Sequence, residues 1–318
     1  MMATRPAYVE RRKYMDSSKA SLSALFSAFA RAYHARHDTP KIVDDHLAEQ
    51  LFAPEEFASF AQNLAEALKF FNPEAAAARP DPQAALAWVM QRGVAPITLS
   101  RARYAEDLLE SAIQQGAKQY VTLGAGLDTF AFRRPDLLDC LDVFEVDHPA
   151  TQADKQCRIA RAGWSVPKRL HFVPVDFAQG DLPTALRRSS LDPRALTFFS
   201  WLGVTYYLAR EVVFGTLRSL ASLAPGGSLV VFDYLDSEAF IPGKAPRLVQ
   251  LMLTAAERSG EPMQTGLDPS SLPTALAGVG LTLREQLSPA QIQARYFGQR
   301  HDDYRAFEHV HFAAAAIT

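Results

Sequence analysis

The chain is expected to fold as a doubly wound α/β domain, a seven-stranded sheet covered by helices on both faces, behind a helical N-terminal extension. Three observations carry this. From Gln119 to about Asp236 short apolar runs alternate with helix-like segments, the order that βαβ units and a mostly parallel sheet require. The runs are apolar throughout rather than alternating, as strands covered on both faces should be. The stretch from Ser17 to about Gln115 is Ala-rich and helical in pattern, with no convincing strand.

Within the extension, Ser21 to Tyr33 (SLSALFSAFARAY) spaces its apolar groups for a helix, and Pro40 stops that run. Pro54 to Phe71 is expected to be a second amphipathic helix. Asn72 to Pro82, with three prolines, is expected to be a connector. Ile97 to Gln115 reads as a long helix carrying Arg101, Arg103, Glu106 and Asp107, stopped by Gly116. The strand candidates that follow are YVTLG, DVFEVD, LHFVPVD, ALTFFSWLG and SLVVFDYL. In the tail, a helix at Ala245 to Arg258 and another near Ser271 to Gly278 precede a strand LTLREQL, a polar helix and a last run VHFAAAAI. Those two late strands bring the sheet to seven. The division expected is an extension or lid over 1–115 and an α/β core over 116–318, with a helical insertion at about 238–265.

Composition excludes several classes. With 33 Lys and Arg against 35 Asp and Glu, no bulk charge draws the chain to nucleic acid or to an acidic membrane. Cys140 and Cys157 form no C-x-x-C pattern, so neither a zinc site nor a disulfide scaffold is expected, and the thiols should be free and mostly buried. Met1 to Asp16 is polar and basic, without the apolar core of a signal peptide. No run of about 18 apolar residues suggests a membrane span. A cytoplasmic protein is expected.

The chemistry should lie at the carboxyl ends of the strands, where open α/β sheets bind ligands. After the first strand comes G-A-G-L-D-T, from Gly124 to Thr129. Gly124 and Gly126 allow a sharp turn and close approach of backbone to a ligand, though such glycines alone usually mark only a turn. The second strand ends in Glu145-Val146-Asp147. An acid about 20 residues beyond the glycine loop can accept from ribose hydroxyls. Both acids share a face, and Asp147 is preferred because it stands at the tip. The third strand ends in Val175-Asp176-Phe177. There a carboxylate can accept from an exocyclic amine while Phe177 packs nearby and offers its backbone N–H.

An adenosine-containing cofactor fits all three strand ends, so nicotinamide dinucleotides compete. Their fingerprint wants a third glycine facing pyrophosphate. Here Thr129 stands in that place, and Asp128 puts a negative charge in the loop. That charge repels pyrophosphate but can accept from the ammonium of a methionine moiety, which favours S-adenosyl-L-methionine. The carboxylate of that moiety needs a donor, and Arg101, before the first strand, has the bidentate geometry for it. Alternatively, Arg101 and Arg103 are surface residues paired with Glu106 and Asp107.

Together R-A-R-Y-A-E-D from Arg101, V-T-L-G-A-G-L-D-T from Val121, F-E-V-D-H-P from Phe144, V-P-V-D-F from Val173 and S-W-L-G-V-T-Y-Y-L from Ser200 resemble the leucine carboxyl methyltransferase-like family, especially its bacterial S-adenosyl-L-methionine-dependent branch. The likeness runs from about Ser21 to Tyr234. It implies a class I methyltransferase (Rossmann-like) fold whose N-terminal extension and inserted lid helix cover the active site. It also implies cofactor carboxylate binding by Arg101, close contact at Gly124, ribose binding by Asp147 and adenine contacts from Asp176 and Phe177. Many members carry Glu before the Gly-Val pair after the fourth strand, where this chain has Leu202. That contact is therefore not carried over, and a cofactor-binding relative without turnover stays open beside the enzyme.

Methyl transfer to a carboxylate needs no general base, whereas a hydroxyl acceptor usually does. His34, His37 and His46 lie in the expected lid without a diagnostic motif, Tyr206 and Tyr207 can wall a pocket or fill the core, and no catalytic residue is assigned. The acceptor expected is a small, partly apolar metabolite methylated on oxygen, with the family name favouring a carboxylate.

Overall fold

The protein is described here from a computed structural model, which covers residues 21–318 apart from 94, 178 and 179. Its strands are β1 (Gln119–Leu123), β2 (Asp142–Asp147), β3 (Leu170–Pro174), β4 (Thr197–Trp201), β5 (Leu229–Leu235), β6 (Leu281–Leu287) and β7 (Val310–Ile317). They form one seven-stranded sheet in the order β3-β2-β1-β4-β5-β7-β6. The first five strands pair in parallel, and β7 runs antiparallel to both neighbours. The strand order reverses between β1 and β4, so the crevice for a ligand opens at their carboxyl ends.

β1, β4 and β7 are buried along their whole length, while the edge strands β3 and β6 keep exposed residues. This is why the central runs are apolar without alternation. Successive residues feed two cores, as strand geometry demands. Phe198 packs with Phe29, Leu99, Tyr104 and Phe312 on one face. Phe199 packs with Val121, Leu217, Phe232 and Leu276 on the other.

Ahead of the sheet lie α1 (Leu22–His37), α2 (Pro54–Glu66), α3 (Leu68–Phe71), α4 (Pro73–Ala77), α5 (Pro82–Arg92) and α6 (Ala95–Gln114). α1 starts where Ser21 accepts the Ala24 N–H with its hydroxyl at 3.3 Å. Here the structure departs from expectation. The helix foreseen over Pro54–Phe71 is interrupted at Ala67, and the foreseen connector holds α4 and leads into α5. Pro54, Pro73 and Pro82 each open a helix rather than break one, because a first-turn N–H has no partner within the helix. Asn72 and Asp81 cap two of these starts. α6 lies against β4 and β5 and stacks Tyr104 on Phe312 with ring centroids 5.3 Å apart.

Later helices are α7 (Phe130–Arg133), α8 (Pro135–Leu138), α9 (Pro149–Arg161), α10 (Leu182–Arg188), α11 (Arg210–Ala221), α12 (Arg247–Arg258), α13 (Leu272–Ala277) and α14 (Pro289–Ile292). Both cysteines are free, but Cys157 is exposed and Cys140 partly so, against the expectation of burial; α9 carries Cys157 on its outer side. Among the described residues no helix is long and apolar enough to cross a membrane, and no His, Cys, Asp and Glu cluster could hold a metal ion.

Candidate cofactor site at the strand ends

The loop after β1 stays tied to β2, since the Gly124 and Ala125 N–H groups both donate to the Val146 carbonyl, at 2.8 and 3.2 Å. Gly124 has φ +71°, and a Cβ there would lie 2.4 Å from Cγ2 of Val204. The loop after β4 therefore rests directly on this glycine. The Gly126 N–H donates to Oδ2 of Asp147 at 2.5 Å, and the His148 N–H donates to Oδ1 at 2.6 Å. Asp147 thus links the two strand tips. Burial raises its carboxyl pKa against the pull of those two amides.

Glu145, the rival acid, is committed elsewhere. It is buried and paired with Lys155 of α9 at 2.5 Å. Burial pushes its carboxyl up, to about 7, against the pull of the ammonium. Asp147 alone of the two stands half-buried at the tip.

Arg101 settles the other alternative. Surface pairing belongs to Arg103, which binds Asp107 at 2.7 Å, while Glu106 binds the largely buried Arg133. Arg101 turns inward, donating from Nη1 to the Tyr206 hydroxyl at 2.9 Å and to Oδ2 of Asp233 at 3.2 Å. Its Nη2 lies 3.4 Å from Oγ of Ser27 on α1. Burial disfavours the guanidinium charge, but Tyr206 and Asp233 outweigh that and raise its pKa. Gly203 makes the room: at φ +74°, a Cβ on it would lie 2.4 Å from Arg101 Nη2.

The residues after β3 are less enclosed. Asp176 and Phe177 are half-buried after β3. The Phe177 ring lies 6.5 Å from that of Trp201 at the β4 tip, while the Asp176 carbonyl accepts from the Gly180 N–H at 2.6 Å. Asp128 Oδ1 accepts the Phe130 N–H at 2.6 Å at the start of α7. One of its oxygens is therefore used inside the loop.

α1 covers this loop. Ala24 lies against Gly126, and Arg31 donates to the Leu127 carbonyl at 2.6 Å and to Asp45 at 2.7 Å. Asp45, held below the usual carboxylate range mainly by Arg31 and Arg133 despite its burial, also accepts from Thr129 at 2.6 Å. His34 is structural: Nδ1 meets Asp38 at 2.7 Å, and Nε2 accepts the Ile42 N–H at 2.7 Å. His37 and His46 are exposed.

Ser27, Asp45 and Asp233 went unnoticed in the sequence. Asp233 sits inside the apolar run SLVVFDYL, where a lone acid in a buried strand was the available signal.

The leucine carboxyl methyltransferase family model matches residues 24–221, a span holding every site residue named above except Asp233. The chain belongs to the leucine carboxyl methyltransferase family. It is 42% identical over 309 residues to "Putative S-adenosyl-L-methionine-dependent methyltransferase YktD" of Bacillus subtilis (strain 168), covering 95% of this chain and 99% of that one. A second relative, from Mycobacterium marinum and named in the same words without YktD, is 30% identical over 251 residues, covering 77% of this chain and 74% of its own. Among solved structures, a DUF574 family protein from Streptomyces avermitilis superposes with a TM-score of 0.56 at 17% identity, covering 96% of this chain and 100% of the other. That likeness concerns the fold. The enzyme is thus an S-adenosylmethionine-dependent methyltransferase on a class I, Rossmann-like fold.

Proposed function

We propose that this methyltransferase transfers a methyl group to an oxygen of a small, partly apolar metabolite, a carboxylate ahead of a hydroxyl. The family's description names a carboxyl acceptor, and one observation at the site supports the same class. The hydroxyls beside Arg101 stay protonated and so offer no base, since burial pushes the Tyr206 and Tyr207 pKa values up. Asp233 is fully buried and bonded to Arg101 and Gly203. An ionised carboxylate would react there without a general base.

In this reading Arg101 binds the methionine carboxylate, Gly124 and Gly126 give the close backbone approach, Asp147 accepts from the ribose hydroxyls, and Asp176 with Phe177 receives the adenine. The residues fit this role physically. Glycine relieves crowding at Gly124, Asp147 keeps lone pairs beyond the two amides it accepts from, and Arg101 keeps N–H donors beyond those it gives to Tyr206 and Asp233. The bound methyl donor supplies an electrophilic methyl group on a cationic sulfur. The chain supplies position and the exclusion of water, with the extension from residue 21 to 115 and the insertion at about 238–265 acting as the cover over the α/β core. A cytoplasmic location, and no use of nucleic acid or membrane, belong to the same reading.

Calorimetry should show binding of S-adenosylmethionine and S-adenosylhomocysteine and none of NAD(H); the opposite pattern would sink the cofactor assignment. Methyl groups transferred to the acceptor should be released by mild base, as esters are, and a base-stable product would rule out the carboxylate. Asp147→Ala should weaken S-adenosylhomocysteine binding by about 100-fold, given roughly 1.5–3 kcal/mol for each hydrogen bond to a charged group. An unchanged affinity would remove Asp147 from the ribose site.

A further inference from the structure

The side chain of Asp233 is wholly inaccessible to solvent, and it points from β5 to the same sheet face as Val231 and Leu235. A carboxylate in such surroundings is tolerated only when charge and hydrogen bonds compensate its lost hydration. Here both oxygens are engaged. Oδ1 accepts the Gly203 N–H at 2.6 Å, and Oδ2 accepts from Arg101 Nη1 at 3.2 Å. The Asp233 carbonyl accepts the Thr205 hydroxyl at 2.6 Å. One residue of β5 thereby holds the loop after β4 and the guanidinium of α6 together.

The arrangement constrains Arg101 on one side. Nη1 is turned toward Asp233 and Tyr206, while Nη2 lies over Gly203 with Ser27 at 3.4 Å. A guanidinium carries five N–H donors in a rigid fork, so fixing one amino group sets the direction of the others. We propose that Asp233 is a positioning residue for cofactor recognition, orienting Arg101 and the Gly203 loop so that the remaining Arg101 donors meet the carboxylate of the methyl donor. The proposal rests on the assignment of that carboxylate to Arg101.

Two ligands separate positioning from general structural support. S-adenosylhomocysteine carries the amino-acid carboxylate, and 5′-methylthioadenosine lacks it while keeping the adenosine part. Asp233→Asn keeps the shape and an acceptor for the Gly203 N–H but sets an amide NH2 against Arg101 Nη1. By calorimetry it should weaken S-adenosylhomocysteine about tenfold or more, the scale of a charged hydrogen bond, and leave 5′-methylthioadenosine binding as in the parent. Arg101→Gln is the reference and should show the same selective loss. If Arg101→Gln weakens neither ligand selectively, the carboxylate assignment fails and the proposal with it. If Arg101→Gln is selective but Asp233→Asn weakens both ligands equally or neither, positioning by Asp233 is overturned alone. Should Asp233→Asn not fold, Asp233→Glu reads the same selectivity, because it keeps the charge and moves it one methylene further from β5.

Discussion

Lys155→Met is expected to cost about 3–5 kcal/mol of folding free energy at pH 8, the range for removing one partner of a buried ion pair. The pair is Lys155 to Glu145 at 2.5 Å, with both side chains nearly inaccessible. Without the ammonium, Glu145 is left charged beneath the sheet's helical cover, and it responds by taking up a proton. Its folded pKa already lies at about 7, above the ordinary value, because burial outweighs Lys155. A carboxyl whose pKa is higher in the folded than in the unfolded state binds more protons when folded. Stability therefore falls as pH rises through the window between the unfolded value and about 7. In the variant the fall should continue to higher pH, since losing Lys155 raises the Glu145 pKa further. Adding Glu145→Gln should flatten the profile and recover part of the loss. Urea denaturation from pH 5 to 9 measures this. A Lys155→Met protein with parental stability at pH 8 would show that the pair contributes nothing there.

Gly124→Ala is the second large effect, and it acts on both fold and site. The backbone at φ +71° costs an L-residue roughly 1–2 kcal/mol. The added Cβ, 2.4 Å from Val204 Cγ2, forces either the β1 loop or the β4 loop to move, at about 1–3 kcal/mol for overpacking. Movement of the β1 loop displaces the backbone from which the Gly126 amide reaches Asp147, and movement of the β4 loop displaces Gly203 beside Arg101. Cofactor affinity should drop with stability. Val204→Ala in the same chain should relieve the steric part and leave the backbone part, so the double variant should be more stable than Gly124→Ala alone. Thermal denaturation together with S-adenosylhomocysteine titration tests both. Parental affinity in Gly124→Ala would mean that the cofactor does not approach the backbone at this glycine.

These outcomes trace back unevenly to the sequence. The glycine loop and the acids at successive strand ends could be read directly, because strand, turn and tip are local features with fixed spacing. The choice between Glu145 and Asp147 could be only partly read. Period-two geometry puts both on one face, and it is the α9 lysine that claims Glu145. The pairing of Arg103 with Asp107 follows a helical four-residue spacing open to reading. The inward turn of Arg101 depends on Asp233 and Tyr206, more than a hundred residues away. The helix starts at Pro73 and Pro82 read as linker in the sequence because proline's meaning depends on whether the next turn finds something to pack against.

The sequence by itself determined the doubly wound core, the seven strands, the family and the positions of Gly124, Asp147, Asp176 and Arg101 along the chain. Those follow from apolar periodicity, turn chemistry and motif order, all expressed over short stretches. Tertiary structure alone decided that Lys155 claims Glu145 and where Arg101 points. It also decided that α1 closes over the glycine loop through Arg31, Asp45 and Thr129. Each of these is a contact between charged or hydrogen-bonding groups ten or more residues apart in sequence. Their energies depend on burial and on the partner's place in space, quantities that no local pattern of residues encodes.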